Sequence, residues 1–513
     1  MKKSFPNFLV IITVFFSVLG ANAQQSSKIS ALSQYIEDAR IKWEIPALAV
    51  GIIHNDTIVL LKGYGEREVG TGKTVDENTL FAVASNTKSF TATAMGILVD
   101  EGKVDWDDPV CKYLPWFRLY DPYVTENFKI RDLLSHKSGL STFSGDLIWY
   151  GSSHSREEVV RRAAHLEPHY GFRTDFGYSN IMYLAAGLVI EQISGMSWDA
   201  FIKDRILNPL HMDRTNSSTL ALDINGNTAI PHSEADGKVI AIPYLNWDNI
   251  APAGSINSSA ADMLKWLKLQ LDYGEYQNKQ LVSPAVLREL WTPQTIQSVS
   301  RFSEKLWPST HFKSYGMGWG LMDYQGKKII SHSGGYDGMI SYSAFVPEEN
   351  LGFVILTNKN SSLYYPLAYK ILDTYLSSDD IDWSNYFFDL NLKNQQAEAK
   401  EKKKADSLRI PDTHPTLPLE KFCGTYHSEM YGDVVVEVLN GTLNLKFLPT
   451  LIFHSPLTHW EYNTFSLKFP DVPSLPAGKV AFIIGMNDNV EKLKIDVPNP
   501  DFDFTELDLY KVK

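Results

Sequence analysis

The chain has 513 residues, and its 48 basic and 60 acidic side chains give a formal net charge of −12 at pH 7. This acidic balance argues against nucleic acid or anionic lipid as the main partner, so we expect a small-molecule or peptide substrate. The length exceeds the usual size of one hydrophobic core and predicts two domains. Only two cysteines are present, Cys111 and Cys423. Two thiols cannot build a thiolate zinc site, and the sequence leaves open whether they pair.

The first residues have the pattern of an export signal. Met1-Lys2-Lys3 is a basic start, residues 8–20 are mostly apolar, and Ala21-Asn22-Ala23 matches a small-residue cleavage signal. We therefore predict a signal peptide over residues 1–23 and a periplasmic or secreted location. The apolar core is short for a membrane span, although an uncleaved anchor is the alternative. No later segment is long enough to cross a bilayer, so we expect no membrane span after cleavage.

Strand and helix patterns then alternate along the chain. A helix is predicted over 31–43, and the strands 47–53 and 57–61 flank a turn and predict a β-hairpin. Helical periodicity dominates the middle of the chain, at 157–164, 200–207 and 260–273. Strand patterns return at 319–322, 340–346 and 352–356. These elements predict an α+β fold in which strands from both ends of residues 24–378 form one antiparallel sheet beside a helical insertion.

The composition changes after Leu376. A charged stretch over 393–406 is followed by three closely spaced prolines, which predicts a linker over 379–416 with a helical or extended connector. Short strand patterns separated by an Asn-Gly turn predict a small all-β domain over 417–513. This domain could cover a cleft, recruit a partner, pair subunits or pack passively, and the sequence does not choose among these roles.

Ser85 and Lys88 are the first residues that suggest chemistry. They stand three residues apart at the start of an apolar helix predicted over 89–99, and residues at that spacing share a helix face. A serine hydroxyl is a poor nucleophile until a neighbour removes its proton, and a desolvated lysine can do so if its pKa falls. The pair therefore predicts a covalent catalyst; the alternative is a chance match with an exposed lysine.

A Tyr-x-Asn motif occurs three times in the chain. Tyr178 and Asn180 stand directly before an apolar helical run over 181–190, which would hold both side chains on a rigid element. The other two matches, 244–246 and 276–278, lie in polar surroundings that are typical of loops. We therefore select Tyr178 and Asn180.

A His-x-Gly motif occurs twice. His332-Ser333-Gly334 follows the strand pattern 328–330 and precedes Gly335, where missing side chains would let a substrate lie against the strand. The other match, 169–171, follows a proline and has the character of a loop. We therefore select His332.

The order Ser-x-x-Lys, Tyr-x-Asn, His-x-Gly resembles the serine β-lactamase and penicillin-binding-protein superfamily, within it the branch of class C β-lactamases, D-alanyl-D-alanine carboxypeptidases and esterases. The stretches 130–140, 252–255, 315–319 and 356–358 are also similar to that family, and the resemblance covers about residues 30–375. It implies a β-lactamase/DD-peptidase-like sheet flanked by helices. The end of the chain resembles an uncharacterised β module that is often attached to these hydrolases.

The resemblance also implies a role for each selected residue. Ser85 would attack a carbonyl and hold the acyl group as an ester, while Lys88 and Tyr178 share the proton transfers, with either as the general base. The implied substrate-binding residues are Asn180, His332, Ser333 and Gly334. The backbone N–H groups of Ser85 and Gly335 would form the oxyanion hole.

Histidine at position 332 departs from the lysine that is typical of β-lactamases proper. A neutral imidazole binds a carboxylate weakly, so we expect peptidase or esterase activity through an acyl-enzyme. The alternative is a penicillin-binding sensor or a poorly catalytic binding protein of the same fold. His136 has a packing and turn context and is given no catalytic role.

No metal site and no cofactor are predicted. The chain has no His-Glu-x-x-His motif, and the stretch 70–74 that mimics a phosphate loop has Arg67 where a glycine is needed. The oligomeric state is left open by the sequence.

Overall fold

The structure, a computed structural model, describes residues 27–235, 237–377 and 380–512. The predicted signal peptide lies outside the described residues. Within the described ranges, no helix combines the length and apolar character needed to cross a membrane.

Thirteen α-helices are assigned in the described part of the chain. Their bounds are α1 27–42, α2 Thr87–Asp100, α3 Pro122–Asn127, α4 Ile130–Leu133, α5 Arg156–Arg162, α6 Asn180–Ser194, α7 Trp198–Ile202, α8 Ala251–Gly254, α9 Ala260–Leu271, α10 Pro284–Leu290, α11 Arg301–Leu306, α12 Tyr364–Leu376 and α13 Trp383–Ser407.

The strands of the first domain are β1 Ala47–His54, β2 Thr57–Gly65, β3 Phe81–Ala82, β4 His232–Ala235, β5 Lys238–Ala241, β6 Asn257–Ser258, β7 Glu275–Tyr276, β8 Lys279–Gln280, β9 Thr295–Gln297, β10 Lys313–Tyr315, β11 Gly320–Tyr324, β12 Lys327–Tyr336, β13 Met339–Val346 and β14 Leu351–Thr357. The strands of the second domain are β15 Gly424–Ser428, β16 Gly432–Leu439, β17 Thr442–Phe447, β18 His454–Pro456, β19 Thr458–Glu461, β20 Thr464–Leu467, β21 Gly478–Ile484, β22 Val490–Asp496 and β23 Leu509–Lys511.

One eight-stranded sheet organises the first domain. Its order is β2-β1-β14-β13-β12-β11-β10-β9, and every neighbouring pair is antiparallel. The N-terminal hairpin thus joins the late strands through the pairing of β1 with β14. The predicted α+β fold, with one antiparallel sheet from both ends of the domain and an all-β end, is confirmed.

Strand β1 shows why this sheet is covered on both faces. Ala47 and Ala49 belong to one hydrophobic core, and Leu48, Val50 and Ile52 belong to another. Because successive side chains point to opposite faces of a sheet, a strand that is apolar throughout must be packed on both sides. Helices α2, α6 and α9 lie in the first core, and α1 and α12 lie in the second.

Helix α2 follows a short turn that lies next to β12 and β13. Helix α2 packs against α6, α8 and α10, so it is buried along nearly its whole length. It ends before Gly102, whose φ of 67° suits the left-handed turn that closes a helix. Ser85 stands before α2, in a single 3₁₀ turn over Ala84–Asn86, and not in the first turn of the helix itself.

The charged connector is helical. α13 covers most of the predicted linker, and its residues after the first turn are largely exposed. Trp383 at its start is buried, and its indole N–H donates to Asp373 at 2.6 Å. The first turn of α13 therefore packs against the first domain, where burial of the Trp383 side chain is favourable.

The second domain is a nine-stranded sheet of order β18-β17-β16-β15-β23-β22-β21-β20-β19. It lies against residues 145–162 of the first domain. The rings of Tyr150 and Phe502 contact each other in a tilted arrangement, with their centres 4.4 Å apart. Gly145 N donates to Glu506 Oε2 at 2.8 Å, and Ser153 N donates to the Pro449 carbonyl oxygen at 2.8 Å. The two domains therefore share an interface with aromatic packing and backbone hydrogen bonds.

The two cysteines are unpaired and partly buried. Cys111 lies in the first domain and Cys423 in the second, and both are free thiols. Burial raises the pKa of each thiol, which keeps both in the neutral form.

Candidate active site

The turn that carries Ser85 has a strained backbone. Ala84 is buried and has a φ of 46°, a left-handed conformation that a residue with a Cβ adopts at a cost. Asn86 secures this turn against β13, because its Nδ2 donates to Ser341 Oγ at 2.8 Å and its Oδ1 accepts from Ser343. Ser341 Oγ in turn donates to the Val83 carbonyl at 2.6 Å. These contacts hold Ser85, the middle residue of the turn, next to β12 and β13.

Lys88 is fully buried beside Ser85. Its Nζ lies 3.1 Å from Ser85 Oγ, 2.7 Å from Asn180 Oδ1 and 2.8 Å from the Ala253 carbonyl oxygen. Burial lowers the pKa of the Lys88 amine to about 7, and the nearby charge of Asp146 opposes that shift. At neutral pH about half of the lysine is therefore uncharged.

The partners of Lys88 also suit its neutral form. A neutral amine has two N–H donors and one lone pair. Asn180 Oδ1 and the Ala253 carbonyl can only accept, so they take the two N–H groups. The lone pair then faces Ser85 Oγ, which can donate its proton along the 3.1 Å contact.

Asp146 is a buried carboxyl that the sequence analysis missed. Its Oδ1 accepts from Trp149 Nε1 at 2.8 Å, and its Oδ2 accepts from Asn180 Nδ2 at 2.6 Å. These bonds orient the Asn180 amide so that its oxygen faces Lys88. Burial raises the pKa of Asp146 to about 7. The one sequence signal was an acid directly before the apolar run 147–150, which is too common to identify a site.

Tyr178 lies over the same lysine. Lys88 Nζ is 4.7 Å from the centre of the Tyr178 ring, and the ring of His136 lies 4.2 Å away on its other side. Burial raises the pKa of the Tyr178 phenol well above 10, and a hydrogen bond with Ser85 opposes that shift. The phenol is therefore protonated at neutral pH. The competing Tyr-x-Asn matches do not line the cavity around Ser85.

His136 supports this tyrosine from behind. It is fully buried, has a φ of 56°, and accepts a hydrogen bond at Nδ1 from the Ser179 N–H at 3.0 Å. Rings of Phe176, Tyr183 and Tyr315 surround it. It does not line the cavity, so it acts on the site through the position of residues 178 and 179.

His332 lies on β12 with both ring nitrogens engaged. Nδ1 is 2.6 Å from the Ser333 carbonyl, which can only accept, so Nδ1 carries the proton. Nε2 then accepts from the Tyr315 hydroxyl at 2.9 Å. Burial and the charge of Lys88 lower the pKa of His332 to about 3. The imidazole is thus uncharged and offers no free ring nitrogen to the cleft.

The glycines after His332 bring β12 against the serine turn. A Cβ on Gly334 would lie 2.2 Å from the Val83 carbonyl oxygen and 2.9 Å from the Ser85 nitrogen, so no side chain fits there. Ser333 and Gly335 are exposed at the same stretch of strand. Ser85, Ser333 and Gly335 all line one cavity. The predicted site residues Tyr178, Asn180 and His332 also line this cavity, while Lys88 and Gly334 are buried beside Ser85.

That cleft has two arms that meet at Tyr178, His332 and Ser333. The larger arm has a volume of about 730 Å³ and includes Ser85 and Asn180. The smaller arm, of about 400 Å³, has a wall of tyrosines. Loops 474–476 and 498–502 of the second domain line the larger arm. These loops lie some 400 residues from Ser85 along the chain, so no local pattern predicts which part of the second domain reaches the cleft.

Residues that could hold a metal are not clustered here. Across 27–235, 237–377 and 380–512, no group of three or more histidine, cysteine, aspartate or glutamate side chains has the arrangement of a metal site.

Comparison with known proteins agrees with this geometry. The family model described as Beta-lactamase matches residues 32–375, and one described as Domain of unknown function (DUF3471) matches residues 408–511. The unguisins hydrolase of Aspergillus campestris is 28% identical over 432 residues, which cover 79% of this chain and 77% of that protein. Protein flp of Staphylococcus aureus is 27% identical over 349 residues, which cover 67% of this chain and 65% of that protein.

Two solved structures share the fold. The octameric penicillin-binding protein homologue from Pyrococcus abyssi aligns with a TM-score of 0.62 at 22% identity, over 94% of this chain and 100% of that one. A D-stereospecific amidohydrolase from Streptomyces sp. aligns with a TM-score of 0.54 at 22% identity, over 68% of this chain and 99% of that one. The resemblance inferred from the three motifs is confirmed, and the chain belongs to the beta-lactamase family.

Proposed function

We propose that this protein is an exported serine hydrolase that cleaves peptide amides, D-amino-acid-containing peptides or esters through an acyl-enzyme on Ser85. The observation that carries this proposal is the set of contacts made by Lys88. A buried amine with a pKa of about 7 lies 3.1 Å from the serine hydroxyl, and its two other partners are acceptors. Such an amine can remove the serine proton near neutral pH.

In the acylation step, Ser85 Oγ attacks the substrate carbonyl carbon and its proton passes to Lys88 Nζ. The oxyanion that forms would be held by the N–H groups of Ser85 and Gly335. The proton then passes to the leaving nitrogen or oxygen, directly or through the Tyr178 hydroxyl, as the bond to the leaving group breaks. Lys88 is the base in this scheme because the Tyr178 phenol is protonated at neutral pH.

Deacylation reverses these roles with water. The neutral Lys88 takes a proton from the water as its oxygen attacks the ester carbonyl. The proton returns to Ser85 Oγ when the ester bond breaks, so the free enzyme and a carboxylic acid are formed. Asn180 is positioned to meet the substrate amide, since it lines the cavity between Lys88 and Asp146.

The neutral state of His332 bears on the substrate class. A β-lactam presents a carboxylate, which a neutral imidazole with both nitrogens engaged does not bind strongly. The names of the relatives point the same way, since they include a hydrolase and a D-stereospecific amidohydrolase. We therefore favour amides and esters over β-lactams as substrates.

The proposed nucleophile can be tested by labelling the full chain with a fluorophosphonate and measuring its intact mass. One adduct on Ser85, turnover of a nitrophenyl ester and loss of both in Ser85→Ala are expected. Ser89→Ala is the matched control, because Ser89 lies one turn further on and its hydroxyl donates to the Asn86 carbonyl. A parallel incubation with penicillin tests the alternative, since a lasting penicilloyl adduct without ester turnover would identify a penicillin-binding sensor.

Export is tested separately. We expect the secreted protein to begin at Gln24, which N-terminal sequencing of the periplasmic or culture fraction would show. An intact Met1 in a membrane fraction would identify an uncleaved anchor instead.

A further inference from the structure

The larger arm of the cleft is lined by acidic residues. Its carboxyl groups belong to Asp146, Asp337 and Asp501, and no lysine or arginine is among the described residues that line it. Asp146 already accepts from Trp149 and Asn180. The carboxyl groups of Asp337 and Asp501 accept fewer hydrogen bonds than that of Asp146. A narrow cleft lined by one sign of charge favours a ligand of the opposite sign.

Asp337 has an unsatisfied oxygen in this wall. It follows the last residue of β12, and its Oδ1 accepts from the Tyr150 hydroxyl at 2.8 Å. Its Oδ2 is buried and has no hydrogen-bond partner among the described residues. Burial raises the pKa of Asp337 to about 6, and the nearby Trp247 indole opposes that shift, although neither its N–H nor Asp337 Oδ2 has a partner in hydrogen-bond geometry. A buried carboxylate oxygen without a donor is costly, so a donor supplied by a ligand would be favourable.

Asp501 comes to the same place from the second domain. It lies in the loop 498–502, which prolines at 498 and 500 restrict. The neighbouring Phe502 packs on Tyr150 at 4.4 Å, and Tyr150 is the residue that donates to Asp337. The Asp501 carboxylate has no ion pair or hydrogen bond to another described residue. Asp337 and Asp501 both line the larger arm, and the charge of Asp501 helps to raise the pKa of Asp337.

The position of Asp337 just after β12 defines which part of a substrate it meets. Gly334 contacts the Ser85 backbone, and Asp337 stands two residues beyond Gly335, in the turn that joins β12 to β13. Two residues of chain span at most about 7 Å, which limits the separation of Asp337 from Gly335. His332 and Ser333 lie in the other direction, towards the smaller arm. An α-ammonium lies about 2.5 Å from its own carbonyl carbon. A carbonyl held at Ser85 and Gly335 would thus leave room for one residue or less before the carboxylate.

We propose that the larger arm selects acyl donors with a free ammonium group, which binds between Asp337 of the first domain and Asp501 of the second. The substrate class is then an N-terminally unblocked amino-acid amide, ester or short peptide. This inference rests on the proposed acyl transfer by Ser85. A blocked amine would leave both carboxylates unpaired in the complex, so the same groups that bind the ammonium reject its acylated analogue. The second domain therefore contributes directly to specificity.

The test compares alanine p-nitroanilide with N-acetyl-alanine p-nitroanilide, each as the D and L enantiomer, on the full chain. We expect kcat/KM to be at least about 100-fold higher for the free amine of the preferred enantiomer, as for a charged hydrogen-bonded pair. Asp337→Asn and Asp501→Asn should each reduce that ratio at least tenfold. Asp503→Asn is the matched control, because Asp503 lies in the same segment, only caps the turn 504–506 and should keep the ratio.

The outcomes separate this inference from the function on which it rests. Without a Ser85 adduct or any ester turnover, the proposed hydrolase itself is wrong. With ester turnover but equal kcat/KM for the free and acetylated amines, only the ammonium site is wrong. A large ratio that survives both Asp337→Asn and Asp501→Asn also overturns it, since another part of the cleft would then be reading the amine.

Discussion

Acylation of Ser85 should lose about a factor of ten for each pH unit below 7. The reason is the pKa of Lys88, which burial lowers to about 7, so that half of the amine is neutral at pH 7. An ordinary lysine with a pKa near 10.4 would be neutral in only roughly one molecule in 2,500 at that pH. In the proposed mechanism the neutral amine is the base, so activity should be present above pH 7 and should be lost as the pH falls. At pH 5 the rate should be about 100-fold below its plateau.

The assay is the second-order rate of labelling by an uncharged fluorophosphonate between pH 5 and 9.5, followed by intact mass. Such a probe has no ionisable group, so the profile reports the free enzyme. Asp146 changes its protonation over the same range, since its pKa is also raised to about 7. The midpoint therefore belongs to the Lys88 and Asp146 pair together.

Two variants connect this profile to Lys88. Lys88→Met should lower the plateau by about 10²–10⁴-fold, the usual contribution of a general base. The control Lys62→Met, at an exposed position on β2, should match the parent protein. Tyr178→Phe should lower the plateau but keep the midpoint near 7. A midpoint near 10, or a rate that is flat from pH 5 to 8, would show that the Lys88 amine is not the base.

Three further results are expected. Gly334→Ala should reduce kcat at least 100-fold and destabilise the fold by about 1–3 kcal/mol, because the added Cβ would lie 2.2 Å from the Val83 oxygen. Gly335→Ala is the control and should keep the melting temperature, because its added Cβ would have its nearest neighbour at 3.7 Å. The free energy of unfolding should rise with pH from 7 towards 10.5, and Lys88 should contribute up to about 1.4 kcal/mol per pH unit. The reason is that between these pH values the lysine binds a proton in the unfolded state but not in the folded state. Urea titrations should show that Lys88→Met removes this slope. Thiol titration in denaturant without reductant should find two free thiols, from Cys111 and Cys423, and a count of zero would reveal a disulfide.

Local patterns were sufficient to predict much of the fold. The hairpin of β1 and β2, helix α2 and the late strands each follow from periodicity over about ten residues, which the sequence displays directly. Ser85 and Lys88 could be paired because their spacing on a turn is a local property. Tyr178 and His332 could be chosen over competing matches because each stands at a predicted helix or strand. The resemblance to a known family supplied the expectation that these separate motifs meet.

The electrostatics and shape of the site depend on contacts between distant residues, which only the tertiary structure decided. Lys88 and Asn180 are 92 positions apart, and Gly145 and Glu506 are 361 apart. Asp146, the tautomer of His332 and the place of Asp501 in the catalytic cleft all follow from such contacts. Burial shifts a pKa through everything that surrounds the group, and most of those surroundings come from other parts of the chain. The sequence by itself therefore predicted the candidate reacting groups, while the fold determined their protonation states and enclosed them with a second domain.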